Sequence, residues 1–124
     1  MIFIEAVAVL VFFAFIAARV MAPHAQRLRG VIIDNLCARA HGFELESYIL
    51  THTKQCALLP YCAGSGYSIV AQGHLYHFTE KSSRKVVNFL RRSDSALDVS
   101  AKVRVMQDSS LELISLKNVT RDSL

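Results

Sequence analysis

Hydrophobic residues are concentrated at the N-terminal end of the chain. From Ala6 to Ala18 the sequence contains only apolar residues, and the charged residues Glu5 and Arg19 flank this run. A helix of about 20 residues spans the hydrocarbon core of a bilayer, and charges near its ends can reach the interface. We therefore predict a transmembrane anchor, or uncleaved signal, at residues 1–22. A cleaved signal peptide is the alternative, but no basic residue precedes the run and Pro23 follows its best cleavage site.

The pattern changes at Pro23. Residues 23–29 (PHAQRLR) are mostly polar and begin with a helix-breaking proline, so they are interpreted as a linker. Residues 30–120 alternate between hydrophobic runs and turn-forming residues, which predicts one small folded domain. Residues 121–124 form a tail.

Within the domain, runs of β-branched and aromatic residues and period-two alternation predict five strands. A segment with helical spacing follows two serines that could cap it, and a change of phase in the last strand suggests a bulge near Ser115. The predicted strands are residues 31–33, 67–71, 75–79, 99–105 and 111–119, and the predicted helix covers residues 84–92.

A long connection separates the first two strands. Cys37 to Gly66 contains no strand pattern, and only Glu44 to Thr53 is mildly helical. Connections of this length in a small domain usually have a function or are held by a crosslink or a metal ion.

The predicted order is strand, long connection, strand, strand, helix, strand, strand. This order is typical of an OB-like five-stranded small barrel. The fold class is therefore mainly β with one short helix (α+β), preceded by a single N-terminal transmembrane helix. Such a fold implies no particular function.

Five potential soft metal ligands lie in or beside the long connection, in the patterns Cys37-x3-His41 and His52-x3-Cys56-x5-Cys62. Thiolate and imidazole groups at such spacings can bind zinc or copper in a tetrahedral site. A metal site would use Cys37, His41, Cys56 and Cys62. A disulfide among the three cysteines is the favoured alternative, and buried free thiols are the third.

Charge and motifs give little support for catalysis or nucleic-acid binding. The net charge is +4, from 14 basic and 10 acidic residues, and the one notable basic cluster lies between Lys81 and Arg92. A solvated helix face or contact with anionic lipid explains that cluster without nucleic acid. Phosphate-binding, dinucleotide-binding and hydrolase motifs do not occur in the sequence. We therefore expect no enzyme, no obligatory cofactor and no nucleic-acid partner.

The segment from Gly30 through Cys37 and His41, with Cys56, Cys62 and the hairpin around Gly73, resembles small exported bacterial OB-like domain proteins of uncharacterised function. The resemblance covers most of residues 30–117 and implies an exported domain with no established activity. The spacing between Cys56 and Cys62 is wider than in those proteins.

Arg19, Arg27 and Arg29 follow the apolar run, so the positive-inside rule favours a cytoplasmic domain. The cysteines and the resemblance favour a domain on the periplasmic or extracytoplasmic side, which we expect. The leading hypothesis is a single-pass, non-catalytic accessory module that docks on an integral membrane protein complex. The alternative is a metal-binding or redox module that uses the Cys3His set.

Overall fold

The computed structural model describes residues 24–119, which form a five-stranded antiparallel sheet with five short helices. The elements in chain order are β1 (Ala25–Asp34), α1 (Asn35–Ala40), α2 (Leu45–Tyr48), α3 (Lys54–Ala57), α4 (Pro60–Gly64), β2 (Tyr67–Ala71), β3 (His74–His77), α5 (Glu80–Leu90), β4 (Asp98–Val105) and β5 (Leu111–Asn118). The domain is thus mainly β within an α+β architecture, as predicted, but it has five short helices where the sequence predicted one.

The strand order is β3-β2-β1-β4-β5, with β1 at the centre. The first part of β1 pairs with β4, from Ala25 opposite Arg104 to Val31 opposite Asp98, and its end pairs with β2. Residues 25–29, which the sequence suggested were linker, are therefore strand. Their polar side chains are mostly exposed although the backbone is paired, which explains why the hydrophobic pattern did not reveal them.

Within residues 24–119, one bridge and one hydrogen bond link the two outer edges of the sheet. Phe78, just after β3, forms an isolated parallel bridge with Leu111 at the start of β5. The backbone N–H of Thr79 donates to the carbonyl of Leu111 at 2.9 Å. The sheet is otherwise open, and it curls enough for its outer strands to touch at this point.

The main hydrophobic core lies between the inner face of the sheet and α5. Ile32, Tyr67, Ile69 and Val99 are fully buried in it, and α5 contributes Val86 among other side chains. Thr79 caps α5 by accepting from the N–H of Ser82 at 3.1 Å, so the helix begins four residues earlier than predicted. The bulge in β5 is confirmed, because the register shifts where Lys102 and Val103 face Ser115 and Leu113.

A second, smaller core lies on the opposite face of β1 and β2. Ile33 and Val70 are buried there against Ala38, with side chains of α1 and α2 packed around them. The long connection therefore covers the end of β1 on this face.

The two ends of the connection are fixed to each other. The N–H of Asn35 donates to the carbonyl of Gly66 at 2.9 Å, and its side-chain amide donates to the carbonyl of Ser65 at 3.0 Å. The whole connection from α1 to α4 is thus a closed loop at one end of the sheet.

None of the helices within residues 24–119 is both long and apolar enough to cross a membrane. The predicted anchor at residues 1–22 and the tail at residues 121–124 lie outside the described residues.

Candidate metal centre

The candidate site begins at Asp34, the last residue of β1, whose side chain is fully buried. One carboxylate oxygen, Oδ2, accepts a hydrogen bond from the backbone N–H of Cys37 at 2.9 Å. This contact caps the N-terminus of α1, because a carboxylate here satisfies an amide that has no partner within the helix. The strand end and the helix start therefore place Asp34 and Cys37 side by side.

His52 enters the site from the segment between α2 and α3. Its backbone N–H donates to the carbonyl of Tyr48 at 3.0 Å, and its imidazole Nε2 lies 3.1 Å from Oδ1 of Asp34. Both side chains of this pair are fully shielded from solvent. The other ring nitrogen, Nδ1, is buried and has no hydrogen-bond partner among residues 24–119. With a proton on Nε2, the Nδ1 atom holds a lone pair that the protein leaves unused.

Three different ligand types converge here. One potential ligand atom each from Asp34, Cys37 and His52 lies within 4.8 Å of the other two. Oxygen, sulfur and nitrogen donors are the set that proteins use for zinc. Cys62, on α4, is buried beside them, and interactions with Asp34 and Cys37 both act on its thiol.

The electrostatics of the site follow from its burial. Burial opposes ionisation of Asp34, but hydrogen bonds from His52 and Cys37 outweigh it and lower the pKa of the carboxyl group below its ordinary value. Burial raises the pKa of the Cys37 thiol. Burial, followed by the charge of Asp34, raises the pKa of Cys62 to about 11. Both thiols are therefore protonated at neutral pH unless a cation replaces the proton.

Raised thiol pKa values argue against a nucleophilic cysteine. Reactive cysteines have lowered pKa values, because the thiolate is the attacking species. Cys37 and Cys62 have the opposite property, although Cys37 lies near the imidazole of His52. The arrangement resembles a cysteine, histidine and aspartate triad only in its residue types.

Tyr48 forms one wall of the site. A side-chain hydrogen bond with Cys37, together with burial, raises the pKa of the Tyr48 hydroxyl. The Tyr48 ring stacks on His41, with centroids 3.7 Å apart and planes 7° from parallel. His41 Nδ1 also pairs with the Glu44 carboxylate at 2.9 Å. His41 therefore lies on the outer side of Tyr48, away from the cluster.

The structure places the residues of the predicted Cys3His set differently from the prediction. Cys37 and Cys62 lie at the site, whereas His41 stacks on Tyr48 and Cys56 is exposed on α3. Asp34 and His52 take the positions next to Cys37 instead. The sequence contained one signal for Asp34, because an aspartate directly before a helix is a typical N-cap. No sequence signal indicated that His52 would face it.

The predicted disulfide is not formed. The structure describes Cys37, Cys56 and Cys62 as free cysteines, with no pair at bonding distance. Cys56 is exposed on the surface, whereas Cys62 is buried and Cys37 is half-buried. The connection is held instead by the buried contact between Asp34 and His52 and by the hydrogen bonds of Asn35.

No family model matches the chain, and neither the curated proteins nor the solved structures contain a match. The resemblance to small exported bacterial proteins stays a prediction.

Proposed function

We propose that the domain is a non-catalytic module that binds one zinc ion through Asp34, Cys37 and His52. The observation that carries the proposal is the convergence of three different ligand atoms within 4.8 Å, where Asp34 and His52 are buried and Cys37 is half-buried. The unused Nδ1 atom of His52 supports it in the arrangement where Nδ1 binds the ion and Asp34 keeps its contact with Nε2, because a buried imidazole nitrogen rarely lacks a partner.

The three ligand atoms, which lie within 4.8 Å of one another, would have to move to tetrahedral spacing around the ion. Ligand atoms bound to tetrahedral zinc at about 2.0–2.3 Å lie about 3.3–3.8 Å from one another. Cys62 is the candidate for a fourth ligand, since its buried thiol lies outside this group of three but interacts with both Asp34 and Cys37. Asp34 can bind the ion directly or orient the imidazole of His52, as carboxylates commonly do for histidine ligands.

Metal binding would give the long connection a structural role. The site joins β1, α1, the segment after α2 and, through Cys62, α4. A bound ion would tie these pieces together, as structural zinc ions do in domains with small cores. This role needs no reactive thiol, in agreement with the raised pKa values of Cys37 and Cys62.

For the finer fold we propose a partly open OB-like barrel. The order of strands and helix, and the bridge between Phe78 and Leu111 that joins the two ends of the sheet, support this proposal. An OB-fold is a five-stranded barrel that is often only partly closed.

The proposal retains the membrane anchor at residues 1–22, with the domain on the periplasmic or extracytoplasmic side. A second candidate function, an accessory subunit docked on an integral membrane protein, is favoured by one observation. Several large apolar side chains of the long connection are exposed instead of packed. These side chains are Leu36, Phe43, Leu50, Leu59 and Tyr61.

Co-purification tests this second candidate. The full chain, extracted from its own membrane in mild detergent, should bring a stoichiometric partner, and Phe43→Ser with Leu50→Ser should reduce the amount recovered. A chain that purifies alone under these conditions contradicts the accessory role and leaves the metal proposal unaffected.

Native mass spectrometry tests the metal proposal. The full chain, reduced and supplied with zinc, should carry one zinc ion. Cys37→Ser should remove the ion, because serine is a poor zinc ligand. Cys56→Ser is the matched control, since Cys56 is exposed and lies outside the cluster, and this variant should keep the ion.

Circular dichroism of each variant separates loss of the ligand from loss of the fold. A wild-type chain that binds no zinc, or a folded Cys37→Ser variant that keeps the full zinc content, contradicts the proposal.

A further inference from the structure

The outward face of β1, β4 and β5 is strongly basic. The register places Arg27 directly opposite Lys102, and Ser100 between Arg29 and Lys117. Directly paired residues of antiparallel strands project to the same side of the sheet. The basic face consists of Arg27, Arg29, Lys102, Arg104 and Lys117.

Two acidic residues project to the same face and neutralise it only in part: Glu112, opposite Arg104, and Asp98, opposite Val31. Arg104 pairs with Glu112 at 3.8 Å, and this is the only ion pair of the five residues within residues 24–119. Arg27 donates to the hydroxyl of Ser100 at 3.2 Å. Like charges directly opposite each other in a sheet are destabilising, so Arg27 and Lys102 indicate an anionic partner from outside the domain.

We propose that the basic face binds the anionic headgroups of the lipid bilayer beside the anchor. The proposal rests on the anchor proposed for residues 1–22, and it does not depend on the metal site. The apolar run ends at Ala18 and β1 begins at Ala25. The six residues between them make seven Cα steps and can span at most about 25 Å, which holds the start of β1 close to the membrane surface.

The residues at the end of β4 also support placing the start of β1 close to the membrane surface. Ala25 faces Arg104, so the next residues of β4 and its following turn lie beside the start of β1. Val105 and Met106 are exposed there, with 42% and 38% of their surfaces accessible. Apolar side chains next to cations suit the boundary between headgroups and acyl chains.

Lipid fits this face better than nucleic acid does. Proteins that bind single strands combine a basic groove with aromatic side chains on which bases stack. The outward positions of β1, β4 and β5 carry no aromatic residue within the part of the chain described here. The phosphate groups of lipids can be bound by cationic side chains alone, without aromatic residues.

Lysine footprinting in nanodiscs tests the proposal with the natural full chain. The acylation rates of individual lysines are measured by peptide mass spectrometry in phosphatidylcholine discs, with and without phosphatidylglycerol. Lys81 is the internal reference, because it is exposed on α5 and outside the basic face. We expect phosphatidylglycerol to slow acylation of Lys102 and Lys117 at least about threefold and to leave Lys81 unchanged. High salt should abolish the difference.

A double variant, Arg27→Gln with Arg29→Gln, should reduce the protection of Lys102 and Lys117. Arg91→Gln with Arg92→Gln is the matched control and should leave it unchanged. Equal rates in both kinds of disc overturn the proposal, as does protection by a single-stranded oligonucleotide but not by phosphatidylglycerol. Repeating the experiment with a chelator keeps its result independent of the metal site.

Discussion

At the scale of single residues, Asp34 connects the end of β1 to the long connection that follows it. One of its oxygens caps α1 through Cys37, and the other contacts the imidazole of His52. A buried carboxylate is stable only when hydrogen bonds replace its water shell, and here both oxygens have a partner. The same residue is therefore needed for the fold and available to a metal ion.

Replacement of this residue gives the first prediction. In the presence of a chelator, Asp34→Ala should lower the free energy of unfolding by about 2–4 kcal/mol. The lost cap contributes about 1 kcal/mol, and a buried His52 ring without its partner contributes about 1–3 kcal/mol. Urea denaturation followed by circular dichroism measures the change. Asp34→Asn keeps an oxygen for the cap and should lose less, and equal losses would contradict the two roles assigned to Asp34.

The pH dependence of stability gives the second prediction. The folded pKa of Asp34 lies below its value in the unfolded chain, so the ionised side chain stabilises the fold above about pH 4. As the pH falls through the lowered pKa, the carboxylate takes up a proton and this stabilisation disappears. Wild-type protein should therefore lose more stability than Asp34→Asn between pH 5 and 3, at about constant ionic strength. Parallel stability profiles of the two proteins would show that Asp34 does not contribute in this way.

Strand β1 determines the architecture at the scale of elements, because it bonds to β4 along its first part and to β2 at its end. Gly30 lies where the pairing changes from one neighbour to the other. A Cβ atom at this position would approach the carbonyl oxygen of Val70 to 2.4 Å. The backbones of β1 and β2 can come together here only because Gly30 has no side chain.

Gly30→Ala is therefore expected to lower the free energy of unfolding by about 1–3 kcal/mol, the usual cost of overpacking a tight site. Gly64→Ala is the matched control, because a Cβ atom there would meet nothing within 4 Å. Thermal and chemical denaturation of the two variants provide the comparison. A Gly30→Ala variant as stable as Gly64→Ala would contradict the close approach of the strands.

Alternation of polar and apolar residues predicted β4 and the bulge in β5, because each strand has one buried and one exposed face. It missed the first half of β1, where Ala25, Gln26 and Arg27 are all exposed although their backbone is paired. The helices of the long connection have four to six residues, which is too short for a 3.6-residue period to be recognised.

The site could not be predicted in full for a related reason. The spacing of Cys37 and His41 suggested two ligands on one helical face, but α1 ends at Ala40 and the His41 ring stacks on Tyr48. His52 reaches Asp34 only because the connection folds back over the end of β1. Proximity of residues 18 positions apart depends on this tertiary packing and leaves no periodic signal in the sequence.

At the scale of the whole molecule, the metal site and the basic face occupy different parts of the domain. The site lies at the end of β1, and the basic face begins near its start, next to the chain that leads to residues 1–22. A ten-residue strand is about 33 Å long, so the metal site lies at the opposite end of β1 from the chain that leads to residues 1–22.

Cobalt(II) titration of the reduced full chain, followed by absorption spectroscopy, tests the central claim most directly. Cobalt substitutes for zinc and reports sulfur ligands through thiolate charge-transfer bands. We predict one equivalent of tetrahedral cobalt with these bands in the wild type and in Cys56→Ser, and their loss in Cys37→Ser. Absence of the bands in the wild type, or bands that persist in Cys37→Ser but vanish in Cys56→Ser, would contradict the assignment of the site.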